Sequence, residues 1–139
     1  SFTIVSANSA QTTINNLVRG IYSFELRVTD NSGAIGRDTV FVTVNPAPNQ
    51  APTANAGANQ TITLPTNSVT LTGSGNDADG TIASFQWSRI AGPTSFTIVS
   101  ANSAQTTINN LVQGTYSFEL RVADNAGAIG RDTVFVTVN

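Results

Sequence analysis

Carboxylates are the only side chains here that could carry acid–base or metal chemistry. The 139 residues include six Asp, two Glu and six Arg, but no His, Cys or Lys. General bases and activated nucleophiles are drawn mostly from those missing types, so any Ser, Thr or Tyr hydroxyl lacks its usual activating partner. One cluster stands out. Asn76-Asp77-Ala78-Asp79-Gly80 places oxygen ligands at alternate positions ahead of a Gly, and hard oxygens are what Ca²⁺ takes. The helix-flanked calcium loop is absent, and a lone Asp-x-Asp-Gly is common in ordinary turns. The favoured reading has Asp77 and Asp79 shaping the turn through side-chain to backbone hydrogen bonds. A glycosidase needs two carboxylates opposed across roughly 5–9 Å, which one intervening residue in a turn does not supply. The expectation is a chain that is not an enzyme.

Charge and hydropathy remove further classes. The net charge is −2 with no basic stripe, whereas nucleic-acid binding needs clustered positive charge. No apolar run approaches the ~18 residues of a membrane helix, so this segment carries no span of that kind, and any export signal lies outside it. Without Cys the redox compartment goes unreported. Two motifs concern modification. Asp38-Thr39-Val40 and Asp132-Thr133-Val134 resemble the Asp-Thr-aliphatic acceptor of bacterial O-glycosylation, marking Thr39 and Thr133. Asn59-Gln60-Thr61 fits the N-glycosylation pattern.

The elements that position these residues come from a repeat. Residues 1–45 return as 95–139, displaced by 94 positions, with four differences: Arg19/Gln113, Ile21/Thr115, Thr29/Ala123 and Ser32/Ala126. In Tyr116-Ser117-Phe118-Glu119-Leu120-Arg121-Val122 apolar and polar residues alternate, the period of a half-buried strand. Tyr22, Phe24, Leu26 and Val28 repeat that pattern. The four differences fall on the outward parity or in flanking turns, as expected where water is the neighbour. The chain reads as a slice of a tandem array.

Composition rich in Val, Ile, Thr and Phe, with 11 Gly, is that of an all-β protein. Three prolines in Pro46–Pro52 mark a semi-rigid extended linker. Residues 1–45 then form the C-terminal half of a repeat, 46–52 the linker and 53–139 a complete repeat. Strands are expected around 61–64, 68–72, 82–89, 96–99, 105–108, 115–123 and 132–138, with Gly73 to Gly80 as one of the turns. Seven strands over that length describe an immunoglobulin-like β-sandwich. About 45 residues cannot bury a core alone, so residues 1–45 need upstream or partner strands, the latter being strand complementation.

Two details sharpen this. Tyr116 follows Gly114 at the start of a long strand, the setting of a tyrosine corner, and Trp87 takes the place of the buried Trp of the opposite sheet. The series Ala54-Asn55-Ala56-Gly57, Asp77-Ala78-Asp79-Gly80, Trp87, Gly92-Pro93, Gly114-x-Tyr116-x-Phe118-x-Leu120-x-Val122-x-Asp124-Asn125-x-Gly127 and Val134-x-Val136-x-Val138 resembles a PKD repeat, named for the polycystic kidney disease protein. The Trp-Asp-Phe-Gly-Asp-Gly signature common in that family is replaced here by Trp87-Ser-Arg-Ile-Ala-Gly-Pro93, which is similar to the branch with Gly-Pro after the Trp. The resemblance implies a spacer or interaction module of secreted or cell-surface proteins, with bacterial adhesins, filaments and polysaccharide-degrading enzymes among the settings. It also implies that Asp124 and Asn49 would join Asp77 and Asp79 in a Ca²⁺ site in members that bind calcium; no cofactor is otherwise required.

On the outward parity, Phe135 and its counterpart Phe41 either rest under a loop or face a neighbouring repeat or chain. Glu119 and Arg121 share that face, where a weak ion pair is expected. The functional expectation is a rigid repeat of a bacterial extracellular or cell-surface stalk, adhesin or filament. Its partners would be neighbouring copies of the repeat, other chains of the same protein, and a surface glycan or polysaccharide. The alternative is a carbohydrate-binding or accessory module of a secreted polysaccharide-degrading enzyme.

Overall fold

A computed structural model describes all of residues 1–139. The chain forms two units, Ser1–Pro48 and Asn49–Asn139.

The first unit holds β1 (Thr3–Ile4), β2 (Ile14–Asn15), β3 (Gly20–Thr29) and β4 (Ile35–Val44). β1 pairs with β2, and β3 with β4, both antiparallel. The second unit holds β5 (Thr53–Asn55), β6 (Gln60–Ile62), β7 (Val69–Thr72), β8 (Ser74–Asn76), β9 (Ile82–Ala91), β10 (Thr97–Ile98), β11 (Gln105–Asn109), β12 (Gly114–Asp124) and β13 (Ile129–Val138). One sheet runs β6-β13-β12-β9, a second β10-β11-β7, and β5-β8 forms a small pair. β6 lies parallel to β13, and the other neighbours are antiparallel. The all-β, immunoglobulin-like reading holds. Two short strands exceed the seven expected. β8 occupies what the sequence marks as turn, because its glycine and small polar residues give no alternation to detect. β5 consists of Thr-Ala-Asn, equally silent.

The second unit is organised by the alternation of β12. Tyr116, Phe118, Leu120 and Val122 point inward and are buried, with Val134, Val136 and Val138 beside them on β13. Val69, Leu71, Ile108 and Leu111 close the core from the other side. Trp87 sits opposite Leu120 and is buried as expected. Its backbone N–H donates to Ala101 O at 2.7 Å and its indole N–H to Ala104 O at 3.2 Å, so one residue of β9 reaches across to the segment leading into β11. Gly73 permits this approach: a Cβ there would stand 2.5 Å from Leu120 Cδ2 and 2.8 Å from Trp87 Cζ2. The tyrosine corner is present. The Tyr116 hydroxyl accepts from Val112 N–H at 3.0 Å and donates to Ser95 O at 2.7 Å.

The first unit contains the same residues without the same burial. Leu26 is 51% exposed against 0% for Leu120, and Val40 59% against 0% for Val134. Local geometry nevertheless survives. The Tyr22 hydroxyl accepts from Val18 N–H, and the Tyr22 and Phe24 rings lie 6° from parallel, as do Tyr116 and Phe118. The hairpin is thus encoded within the repeated segment, whereas its core depends on strands of the kind found in 53–94. A fully buried Leu or Val side chain contributes roughly 1.5–3 kcal/mol, and the first unit forgoes most of that.

Candidate functional site

The polar residues singled out by sequence gather at the end of the second unit where the linker enters. Asp124, the last residue of β12, precedes a turn that reverses through Gly127 at φ 91°, a left-handed value suited to glycine. Its Oδ1 accepts the N–H groups of Ala126 and Ala128, both at 2.8 Å, and its Oδ2 accepts from Asn49 Nδ2 at 2.8 Å. With 3% of its surface exposed, the side chain is held by these donors. The Asn49 amide, followed by the backbone N–H groups of the turn, keeps its pKa below the ordinary value against the opposing effect of burial.

Asp79 meets the linker too. Its Oδ2 accepts from Gln50 N–H at 2.9 Å, while Asp77 Oδ1 accepts from Asp79 N–H at 3.3 Å, the Asx-type turn bond. Asp77 Oδ2 is buried without a donor. Burial raises the Asp77 pKa, and the charges of Asp79 and Asp124 push the same way. Gly80 keeps the loop tight, because a Cβ there would collide with Asn125 Oδ1 and stand 2.6 Å from Asp77 Oδ2. Asn125 Oδ1 accepts from Thr81 N–H at 3.0 Å. Asp77, Asp79 and Asp124 therefore lie at one end of the sandwich, but no three carboxylates converge on one point. In this arrangement their oxygens cap turns and hold the incoming chain. Gln50 contributes only its backbone N–H, so no side-chain signal could have flagged it.

The other singled-out residues lie apart. Asp132 Oδ2 accepts from Ala56 N–H at 2.8 Å, whereas Asp38 in the first unit bonds only its neighbour Thr39 N–H at 3.0 Å. Thr133 is half-buried and Thr39 exposed. Asn59 Oδ1 accepts from Phe135 N–H at 2.9 Å. Phe135 is 48% exposed and Phe41 71%, so neither ring is buried. The strand simply presents the ring on its outer face. Glu119 pairs with Arg131 at 3.0 Å rather than with Arg121, which reaches Gln86 Oε1 at 3.5 Å. The reason is register: Glu119 and Arg131 lie one diagonal step apart on β12 and β13, within reach of long side chains.

A family model described as "K319L-like, PKD domain" matches residues 1–44 and 56–138. The mouse dyslexia-associated protein KIAA0319-like protein is 36% identical over 137 residues, covering 96% of this chain and 13% of that protein. The human dyslexia-associated protein KIAA0319 is 37% identical over 134 residues, 94% of this chain and 12% of that protein. The chain thus spans about an eighth of the length of these relatives. The solution structure of the PKD domain from KIAA 1837 protein superposes with a TM-score of 0.58 at 35% identity, covering 68% of this chain and 92% of that domain. These findings correct the expected bacterial branch, since the matching model is K319L-like and these relatives are mammalian. The chain belongs to the K319L-like PKD domain family.

Proposed function

We propose that this chain is a non-catalytic spacer of an extracellular tandem array, in which each sandwich is a rigid segment and the linker is clamped onto the module it enters. One observation carries this reading: Asn49 and Gln50, adjacent to the prolines, are fastened to Asp124 and Asp79. The clamp shortens the free linker and fixes the direction in which the chain joins its domain. Membership in the K319L-like PKD family and the absence of His, Cys and Lys support a structural or adhesive role over a catalytic one. The outward rings of Phe135 and Phe41 supply apolar contact area for a neighbouring repeat or chain, as in a stalk or filament.

The test is backbone ¹⁵N relaxation on the whole chain. A clamped linker gives Asn49 and Gln50 order parameters like those of β12, about 0.85. Values below about 0.6 at both positions overturn the reading.

A further inference from the structure

The outer face of the four-stranded sheet in the second unit carries charge that its own residues leave unbalanced. Arg121 on β12 stands directly opposite Arg131 on β13, and like charges at opposed positions destabilise a sheet. Glu119 is the one acid on that face, and it is committed to Arg131 at 3.0 Å. Arg121 is left with a 3.5 Å bond to Gln86 Oε1, and its Nε has no partner. The face therefore sets two arginines against one glutamate, although the chain as a whole carries −2. The first unit repeats the ladder, with Arg27 opposite Arg37 and Glu25 3.0 Å from Arg37. Further along the same strands the face turns apolar. Phe135, 48% exposed, stands opposite Ser117, and Ile90, the extra residue of a bulge in β9 at that level, is 53% exposed. A bulge re-aims the side chain it carries. Ser117 is buried despite its outward parity, so the patch has a closed floor. At about 3.4 Å per residue, the aromatic and cationic ends lie roughly 14 Å apart, with Thr133, Glu119 and Ser88 in a row between them.

We infer that this face binds an acidic polysaccharide, with the apolar side of one sugar ring on Phe135 and a carboxylate or sulfate of a later sugar at Arg121 and Gln86. The strands themselves select this class of ligand. β12 and β13 are interior strands flanked by β9 and β6, so their backbone is already paired and no peptide can add to them as a further strand. What remains is an open ring that buries the C–H face of a sugar, a row of hydroxyl and amide groups, and a guanidinium whose fork takes two oxygens of one anion. A second copy does not suit the charge, since two such faces together set four arginines against two glutamates. Duplex nucleic acid does not suit it either, because its phosphates need a longer run of positive charge. The inference goes beyond the spacer reading, and the clamp at Asn49 and Gln50 stands or falls without it. In an array, one such face per repeat lets a long sugar chain engage several modules at once and gain affinity by avidity.

The test titrates the ¹⁵N-labelled chain with a heparin hexasaccharide, a hexamer of galacturonic acid and the neutral cellohexaose, following backbone amide and arginine Nε–H signals. Heparin brings sulfates and galacturonate only carboxylates, so the tighter of the two names the anion. The expected result is saturable shifts at Gln86, Glu119, Arg121, Arg131 and Phe135 with at least one acidic hexamer and none with cellohexaose. Arg121→Gln should weaken the Kd read at Phe135 by about tenfold, as for loss of a hydrogen bond to a charged group. Glu119→Gln should tighten it by about threefold, because it frees Arg131 and removes the one repelling charge. A gain of this kind cannot come from misfolding. The inference is overturned by the absence of saturable shifts with both acidic hexamers, by shifts confined to other arginines, by equal binding of cellohexaose, or by a Kd that neither variant changes. A dimer of the chain alone that protects Phe135 and Arg121 overturns it too, since the face would then be closed by a second copy.

Discussion

Asn49 and Asp124, 75 positions apart, are joined by a 2.8 Å hydrogen bond from the Asn49 amide to a carboxylate that also receives two backbone N–H groups of the following turn. Linker attachment and turn closure thus share one side chain. Replacing Asp124 by Ala removes all three acceptor contacts. Unpaired donors are costly to leave behind, so both the turn and the linker loosen. The expected outcome is a lower Tm, together with a fall in the Asn49 order parameter from about 0.85 toward 0.6. A Tm decrease with Asn49 still rigid would separate the two roles.

The two perturbed carboxylates act on stability with opposite signs. Asp124 titrates below 3.8 in the folded state. Its contribution is present above 3.8 and is lost as pH falls through the folded value. Asp77 titrates above 3.8, chiefly because its half-buried carboxyl is partly desolvated. Its neutral form is favoured by folding, and that contribution is lost as pH rises through the folded pKa. Asp77→Asn keeps the turn bond and removes the partly desolvated charge. Its Tm should exceed that of the unsubstituted chain at pH 7, with the gap closing as pH approaches 3.8. Melts in EDTA and in millimolar Ca²⁺ should coincide. A calcium-dependent rise in Tm, lost in Asp77→Asn, would make these carboxylates ligands.

Tyr116→Phe isolates the tyrosine corner. The hydroxyl accepts from Val112 N–H and donates to Ser95 O, so its loss leaves two backbone groups unpaired near the core. The cost expected for such a loss is about 1–3 kcal/mol, read from urea unfolding followed by Trp87 fluorescence. A change under about 0.5 kcal/mol would mean that water replaces the hydroxyl at no cost.

The repeat, the inward parity of Tyr116 to Val122, the buried Trp87 and the corner at Tyr116 are legible in the sequence, because periodicity and turn residues act locally. Asp132 is not. Its bond to Ala56 N–H is made by a residue 76 positions away, and the same Asp-Thr-Val in the first unit makes no such bond. The clamp is half legible: the family resemblance marks Asn49 and Asp124 as belonging together, but nothing in the spacing indicates that the two side chains bond each other. Gln50, acting through its backbone, leaves no mark in composition or spacing. Identical sequence with different burial, as at Leu26 and Leu120, shows the general reason. Local pattern encodes which side faces a core, and only the rest of the fold supplies the core.

Gly36 and Gly130 turn that contrast into a measurement. Both precede Arg-Asp-Thr-Val on equivalent strands. A Cβ on Gly130 would collide with Pro52 O and lie 3.0 Å from Pro52 C and 3.3 Å from Ala54 N, all backbone atoms of the segment that enters the second unit. A Cβ on Gly36 meets nothing within 4 Å. Backbone cannot swing aside as a flexible side chain can, so Gly130→Ala must push β5 off the end of the sandwich. A cost of about 1–3 kcal/mol is expected, typical of overpacking. Gly36→Ala should stay within about 0.5 kcal/mol, as for substitutions away from packed features. The only Trp in the chain is Trp87, in the second unit, so its emission reports that unit alone. Urea melts followed at Trp87 should shift for Gly130→Ala, while amide exchange along Ile35–Val44, which reports the first unit, should be unchanged by Gly36→Ala. A loss of exchange protection in Gly36→Ala would mean that the strand itself, rather than the Pro52 carbonyl, requires glycine, and an unshifted Gly130→Ala melt would sink the packing account of the linker entry.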